Sequence, residues 1–431
     1  MTTAVSTGSV TLRHGGPGAG RSACAMVFVN AGSWSDPPGR SGLAHLWEHA
    51  FFAGCGRHRT ARDFAAAASA LGHTFNGHTA AEYCHFHLSG PDDTLAEAMD
   101  LLLTCYTAPR WDDGELAVQR RAIGNELRGF ADDRGRQLRR LATEALHGTG
   151  PYALSPLGRA EDIARLTRAD LAAFAQDHAG PGRVTVLVDS PRRDSRLDEV
   201  IARHFPPAPG PFAAVQPAPS PEGYGPLIHP ILELPGRTAL VALAVPGVSY
   251  LLTPREMYAV RLFHSVLGGI PGSRLGVRLR DELGVAYQAR TVLEPHARTG
   301  ALLALFTCAP ERTAETVAEV TGLLNRALET PVSQAELDRA VAMNRGIHVR
   351  DRETPTARCL VRGKEMLRRG TPLPEEEQFA LWADIDAEEV LATVRRVLLP
   401  ELTRCAVVGP PGIHQTLRDA AVLPGTWQRA G

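Results

Sequence analysis

The chain has 431 residues, 46 basic against 47 acidic side chains, a formal net charge of -1, 44% hydrophobic and 22% charged residues. That balance excludes disordered and fibrous proteins and argues against broad electrostatic capture of nucleic acid or of an anionic membrane surface. The length suits two to four domains with cores of their own, and two halves of similar size is the simplest division.

Seven cysteines, an odd number without CxxC spacing, read as reduced thiols rather than a disulfide framework or a zinc ribbon. No basic-then-apolar leader opens the sequence, and no apolar run of about 18 residues occurs. The expected setting is cytoplasmic, with neither membrane nor nucleic acid as partner.

In chain order, "ACAMVFVNAGS" (23–33) reads as a strand, residues 43–53 as a helix, and "AEYCHFHLSG" (81–90) as an alternating strand. Two amphipathic helices follow, "TLAEAMDLLLTCY" and "LAVQRRAIGNELRGF", and "VTVLVD" closes the half as an apolar strand. Pro206 to Pro226 is dominated by Pro with Gly and Ala, which predicts an extended linker.

The second half repeats the order. "TALVALAVPG" is a strand, "EMYAVRLFHSVLGG" a helix and "GALLALFTCAP" a strand; "TAETVAEVTGLLNRALE" and "QAELDRAVAMNRGIHVRDR" are helices, and "CAVVGP" is the closing strand. Matching order without matching sequence suggests a duplicated α+β unit. The expected fold is two homologous domains, 1–205 and 227–431, each a mostly antiparallel sheet with helices packed on one face.

"GLAHLWEHAFFAG" (42–54) places His45, Glu48 and His49 on an otherwise apolar helix. Positions i and i+4 share a helix face, so the two imidazoles can meet at one point, as zinc ligands do. Glu48, beside both, is placed to act as general base toward an attacking water. This is the HxxEH arrangement, and a catalytic zinc needs a third protein ligand from elsewhere.

The stretch resembles the zinc helix of the pitrilysin/insulinase family of metallopeptidases, whose HxxEH is followed at longer spacing by a glutamate on a second helix. Here "RRAIGNELRGFADD" supplies Glu126, 77 residues after His49. The similarity extends over "VNAGSWSDPPGRSGLAH", "LGHTFNGHTAAEYCHFHL" and "PLGRAEDIARLTRADLAAFAQDHAGPGRVTVLV", and on to "PGSRLGVRLRDELGVAYQA" in the second half.

The resemblance implies one zinc per chain held by His45, His49 and Glu126, with Glu48 activating water. It further implies that Asn76 bonds the substrate backbone, that Arg280 holds a substrate carbonyl or carboxylate, and that Tyr287 stabilises the oxyanion. Members of this length resemble half of a four-domain clamshell, so a homodimer or a heterodimer with a sister subunit is expected to enclose a peptide chamber. The sequence departs from the family pattern at Ala50, where Met is common, and at Gln119, where a second glutamate is usual; Glu115 is a possible substitute.

Residues 1–205 are thus expected to be a zinc-binding catalytic domain. Residues 227–431 are expected to be a metal-free domain carrying the Arg/Tyr segment, with His264 standing alone in the helix equivalent to the zinc helix. The activity implied is endopeptidase cleavage of peptides or of leader and processing segments. The competing expectation is a non-catalytic, peptide-binding or scaffolding subunit serving a sister chain, toward which Gln119 points. His73, His78, His85 and His87 read as ordinary strand histidines.

Overall fold

A computed structural model describes residues 3–5, 10–14, 21–180, 183–205, 224, 227–420 and 423–430. Apart from Tyr224, the linker expected at 206–226 lies outside the described residues. Two compact units are present, and they do not follow the chain in strict halves. The first takes Met1–Arg128, Leu154–Gln216 and Val349–Pro372; the second takes Gly129–Ala153, Pro217–His348 and Leu373–Gly431.

The first unit is built on a six-stranded sheet of β1 (Thr3–Val5), β2 (Val10–His14), β3 (Ser22–Val29), β4 (Thr74–Thr79), β5 (Cys84–Pro91) and β6 (Val184–Ser190). Its order is β1-β2-β6-β3-β5-β4, antiparallel except for β2 beside β6. The second unit has β7 (Ile228–Glu233), β8 (Ala239–Pro246), β9 (Ala289–Pro295), β10 (Gly300–Cys308), β11 (Arg404–Gly409) and β12 (Thr426–Arg429). There the order is β12-β7-β11-β8-β10-β9. From β2 to β4 and from β7 to β9 the two sheets repeat the same path, including the one parallel pair in each run. The duplicated α+β architecture follows directly from that match.

Alternation along the strands decides which side chains enter the core. In the first unit Val27, Val29, Phe86, Leu88, Val186 and Val188 face a helical layer that includes Leu43–Phe51, Leu95–Thr107 and Arg168–His178. The opposite face carries helix Pro355–Arg369, whose Cys359, Met366 and Leu367 pack on Cys24, Met26, Phe28 and Leu187. Arg358 anchors that helix with a bidentate pair to Asp189 at 2.6 and 2.9 Å.

The second unit closes its corresponding face in the same way. Leu138, Leu141, Ala142 and Leu146 of helix Arg134–His147 pack on Ala242, Ala244, Leu303 and Val408. Each sheet therefore has the expected helical layer on one face and a single helix on the other, drawn from the other half of the chain.

Burial holds several histidines neutral. His85 on β5 and His147 at the end of its helix are both pushed down to about 3, chiefly by desolvation. An unfolded chain takes up protons at these positions near pH 6.5, whereas the folded chain resists until about pH 3. Stability from each is fully present above about pH 6.5 and is lost as the pH falls toward 3, at about 1.4 kcal/mol per pH unit per group. Asp36, raised to about 7 by burial, contributes an opposite slope between its ordinary value and 7. The two histidines outweigh it, so urea midpoints should fall steadily from pH 6.5 to 4.5; midpoints that stay level across that range would contradict the assignment.

No helix among the described residues is long and apolar enough to cross a membrane. All seven cysteines are buried and free.

Candidate metal centre

The helix Leu43–Phe51 exists because one of its faces is wholly apolar. Trp47 and Phe51 meet the ring of Phe86, the latter stacked at 3.7 Å between centroids. His45 and His49 rise from the adjoining face with rings 4.7 Å apart, edge to face.

The start of this helix has no capping side chain of its own, since Gly42 sits there with φ at 97°. Asp36 does the work from the preceding loop, accepting from the N–H of Gly42 at 2.7 Å and of Ala44 at 2.8 Å. A buried carboxyl group aimed at a helix N-terminus satisfies donors that would otherwise be orphaned and fixes where His45 stands.

Both imidazoles are oriented from behind. His45 Nδ1 lies 3.3 Å from the Leu157 carbonyl and His49 Nδ1 lies 3.3 Å from Gln119 Oε1. The Leu157 carbonyl can only accept, so His45 Nδ1 carries the proton and Nε2 keeps its lone pair; Gln119 turns its Oε1 toward His49, which suits the same tautomer there. Burial, followed by the charge of His49, lowers His45 to about 4, so its ring is neutral at physiological pH.

The long helix Asp113–Asp132 brings the other carboxylate. Leu116 and Ile123, seven apart, bury one stripe, and Gln119 and Glu126, also seven apart, present the next. Glu126 Oε2 lies 3.4 Å from His45 Nε2, and its Oε1 lies 3.4 Å from His49 Nε2.

Glu48 occupies a tighter space. Its Oε2 accepts from the Thr79 hydroxyl at 3.3 Å and stands 3.9 Å from His45 Nε2. A Cβ added at Gly77 would fall 2.4 Å from Glu48 Oε1, so glycine is what lets β4 pass so close. Burial raises the Glu48 pKa, against the pull of His49 and the Thr79 hydrogen bond.

Asn76 sits within β4, the last strand of its sheet, paired with His87 rather than in a hairpin turn. Its Oδ1 accepts from the Gly77 N–H at 3.0 Å. Arg280 and Tyr287 form a separate pair in the second unit. Arg280 is bonded to Asp281 at 2.7 Å, and Tyr287 is 85% exposed. His264, on helix Pro254–His264, directs Nε2 to the Thr291 carbonyl at 3.1 Å and is satisfied there.

Asp36, the Leu157 carbonyl, Gly77 and Thr79 were not singled out from sequence. Gly77 follows Asn76, and that dipeptide signals a turn rather than a strand passing close to a carboxylate.

Known families match this chain in tandem: Insulinase (Peptidase family M16) over residues 17–159, and Peptidase M16 inactive domain over residues 165–344. The chain belongs to peptidase family M16. An uncharacterized zinc protease of Mycobacterium tuberculosis is 28% identical over 404 residues, covering 92% of this M16 chain and 90% of the relative. A probable mitochondrial-processing peptidase subunit beta of Arabidopsis thaliana is 22% identical over 413 residues, covering 90% and 75%. In fold, the M16 chain matches the crystal structure of a protease from Helicobacter pylori with a TM-score of 0.83, at 17% identity over 95% of this chain and 99% of that one.

Gln119 occupies the position where the sequence comparison expected a second glutamate, and it is the residue that reaches His49. As an acceptor it keeps the imidazole tautomer without adding charge. Gln119→Leu should weaken zinc binding about 10–100-fold in a competition titration against a chromophoric chelator, while Gln119→Glu should retain it. Equal affinities for all three proteins would remove Gln119 from the orienting role.

Proposed function

We propose that this M16 chain is a zinc-dependent endopeptidase that hydrolyses peptides or leader and processing segments, with about one zinc per chain. The observation that carries the reading is the spacing of three donors. Two ligand atoms about 2.0–2.1 Å from a tetrahedral zinc lie about 3.3–3.4 Å from each other. One Glu126 oxygen stands 3.4 Å from His45 Nε2 and the other 3.4 Å from His49 Nε2, whereas Glu48 Oε2 stands 3.9 Å from His45 Nε2.

Proximity alone also groups Glu48 with the two histidines, all three within 4.8 Å. The hydrogen bond from Thr79 and the closer fit of Glu126 favour Glu126 as ligand and leave Glu48 for proton transfer. His45, His49 and Glu126 would hold the zinc, which when bound would supply charge to polarise a scissile carbonyl and acidify a water.

The side chains do the rest. Glu48, its proton affinity raised by burial and its carboxylate held by Thr79, takes the proton of the attacking water at Oε and returns it to the leaving amine. An extended peptide adds to the outer edge of β4 through main-chain bonds, with Asn76 bonding its backbone. Arg280 holds a substrate carbonyl or carboxylate, and the Tyr287 hydroxyl stabilises the oxyanion.

The working assembly is a cytoplasmic homodimer, or a heterodimer with a sister subunit, enclosing a chamber for the peptide. A second reading is a non-catalytic, peptide-binding or scaffolding subunit, favoured by the neutral Gln119 beside His49.

Digestion of a mixed peptide library by the purified chain alone separates the two. Internal cuts that a chelator abolishes and zinc restores support the endopeptidase. An intact library in the presence of a zinc-loaded chain supports the subunit reading.

A further inference from the structure

The loop that follows the ligand helix is stitched to the segment leading into the Glu126 helix. Cys55 N–H donates to the His58 carbonyl at 2.7 Å and His58 N–H donates back at 2.8 Å. Gly56 N–H donates to the Ala108 carbonyl at 3.0 Å and Arg110 N–H to the Gly54 carbonyl at 2.9 Å. Three residues before Ala108, at the end of helix Leu95–Thr107, Cys105 directs its thiol to the Cys55 sulfur at 2.8 Å.

Both side chains are buried, and both thiols are free. Beside Cys105 lies a cavity of about 150 Å³ lined by Trp47, Phe51, Cys105, Tyr106, Pro109 and Trp111. That is ample for a molecule of two oxygen atoms, given that a water occupies about 30 Å³ in the liquid.

We propose that Cys55 and Cys105 are a redox modification site, at which a hydroperoxide converts the dithiol to a disulfide and locks the loop after the ligand helix to the segment before the Glu126 helix. The hydrogen bond between the two sulfurs lets one thiol hold the proton that the other gives up. Cys105 lines the cavity and Cys55 does not, so a peroxide held there meets the pair at Cys105, which passes its proton to the Cys55 sulfur 2.8 Å away.

The Cys105 sulfur's lone pair displaces hydroxide from the peroxide, breaking the O–O bond and forming a sulfenic acid, and the hydroxide leaves as water with the proton Cys105 gave up. The Cys55 sulfur then attacks Cys105, the S–S bond forms, the S–O bond breaks, and the hydroxide leaves as water with the Cys55 proton. Two thiols and one hydrogen peroxide give one disulfide and two waters, with two electrons passing from sulfur to peroxide. A dithiol reductant reverses the step. Disulfides of proteins in reducing compartments are characteristically transient ones of this kind.

The test needs no peptidase assay, so its failure is distinguishable from failure of the peptidase reading. The reduced full-length chain is exposed to stoichiometric hydrogen peroxide, its remaining thiols are alkylated, and the digest is mapped by mass spectrometry. The expected result is a Cys55–Cys105 cross-linked peptide that dithiothreitol releases. It should be accompanied by an unfolding midpoint raised by about 5 °C that Cys55→Ser and Cys105→Ser do not show.

Mapping distinguishes this pair from Cys24 and Cys359, whose thiols also bond each other. The wild-type map carries the result even where a variant does not fold. Alkylation of both Cys55 and Cys105 after oxidation, or their conversion to sulfinic acids without a cross-link, would overturn the proposal.

Discussion

Glu48→Gln is expected to bind zinc as the native chain does and to lose about 10²–10⁴-fold in kcat, the share that a positioned general base contributes. The amide has nearly the shape of the carboxylate and can still accept from the Thr79 hydroxyl, so the space against Gly77 stays filled. What it cannot do is take a proton. Zinc content by atomic spectroscopy and turnover on the same preparation check the split: full metal with native turnover would remove Glu48 from proton transfer.

Glu126→Ala should do the reverse, with the loss appearing first in the metal. Two imidazoles without the third donor hold zinc at least about 100-fold more weakly, more than the loss of an orienting partner costs. The Glu126 side chain is 46% exposed, so its removal opens no core cavity. The metal-free forms of variant and native chain should therefore unfold within about 0.5 kcal/mol of each other. Native zinc affinity in Glu126→Ala would mean that another group, with Glu48 the nearest, completes the site.

The buried strands were legible in the sequence because alternation or a short apolar run announces them. β3, β5, β8 and β10 lie where the pattern placed them. β4 was not legible: Thr74, Phe75 and Asn76 are all exposed, so no apolar alternation marks the strand, and Asn76-Gly77 carries the chemistry of a hairpin turn. Tertiary pairing with β5 overrides that local preference.

The helices Arg134–His147 and Pro355–Arg369 were not among the elements read from the sequence, and each belongs to the unit built on the other half of the chain. Periodicity identifies an apolar face without naming the sheet that receives it. The same limit divides the site. His45, Glu48 and His49 follow from the 3.6-residue period alone, whereas Glu126 came from resemblance to a family pattern. Thr79 and the Leu157 carbonyl act on residues far away in the chain, and Asp36 acts from an irregular loop just before the helix; none of these leaves a period to read.

The central claim is a division of labour between two carboxylates, Glu126 as ligand and Glu48 as base. Diffraction from zinc-loaded crystals, with anomalous data collected on both sides of the zinc edge, tests it most directly. A single strong peak per chain is expected about 2.0–2.1 Å from His45 Nε2, His49 Nε2 and a Glu126 oxygen, with Glu48 outside bonding distance. A peak bonded to Glu48 in place of Glu126, or lying away from the two histidines, would contradict it.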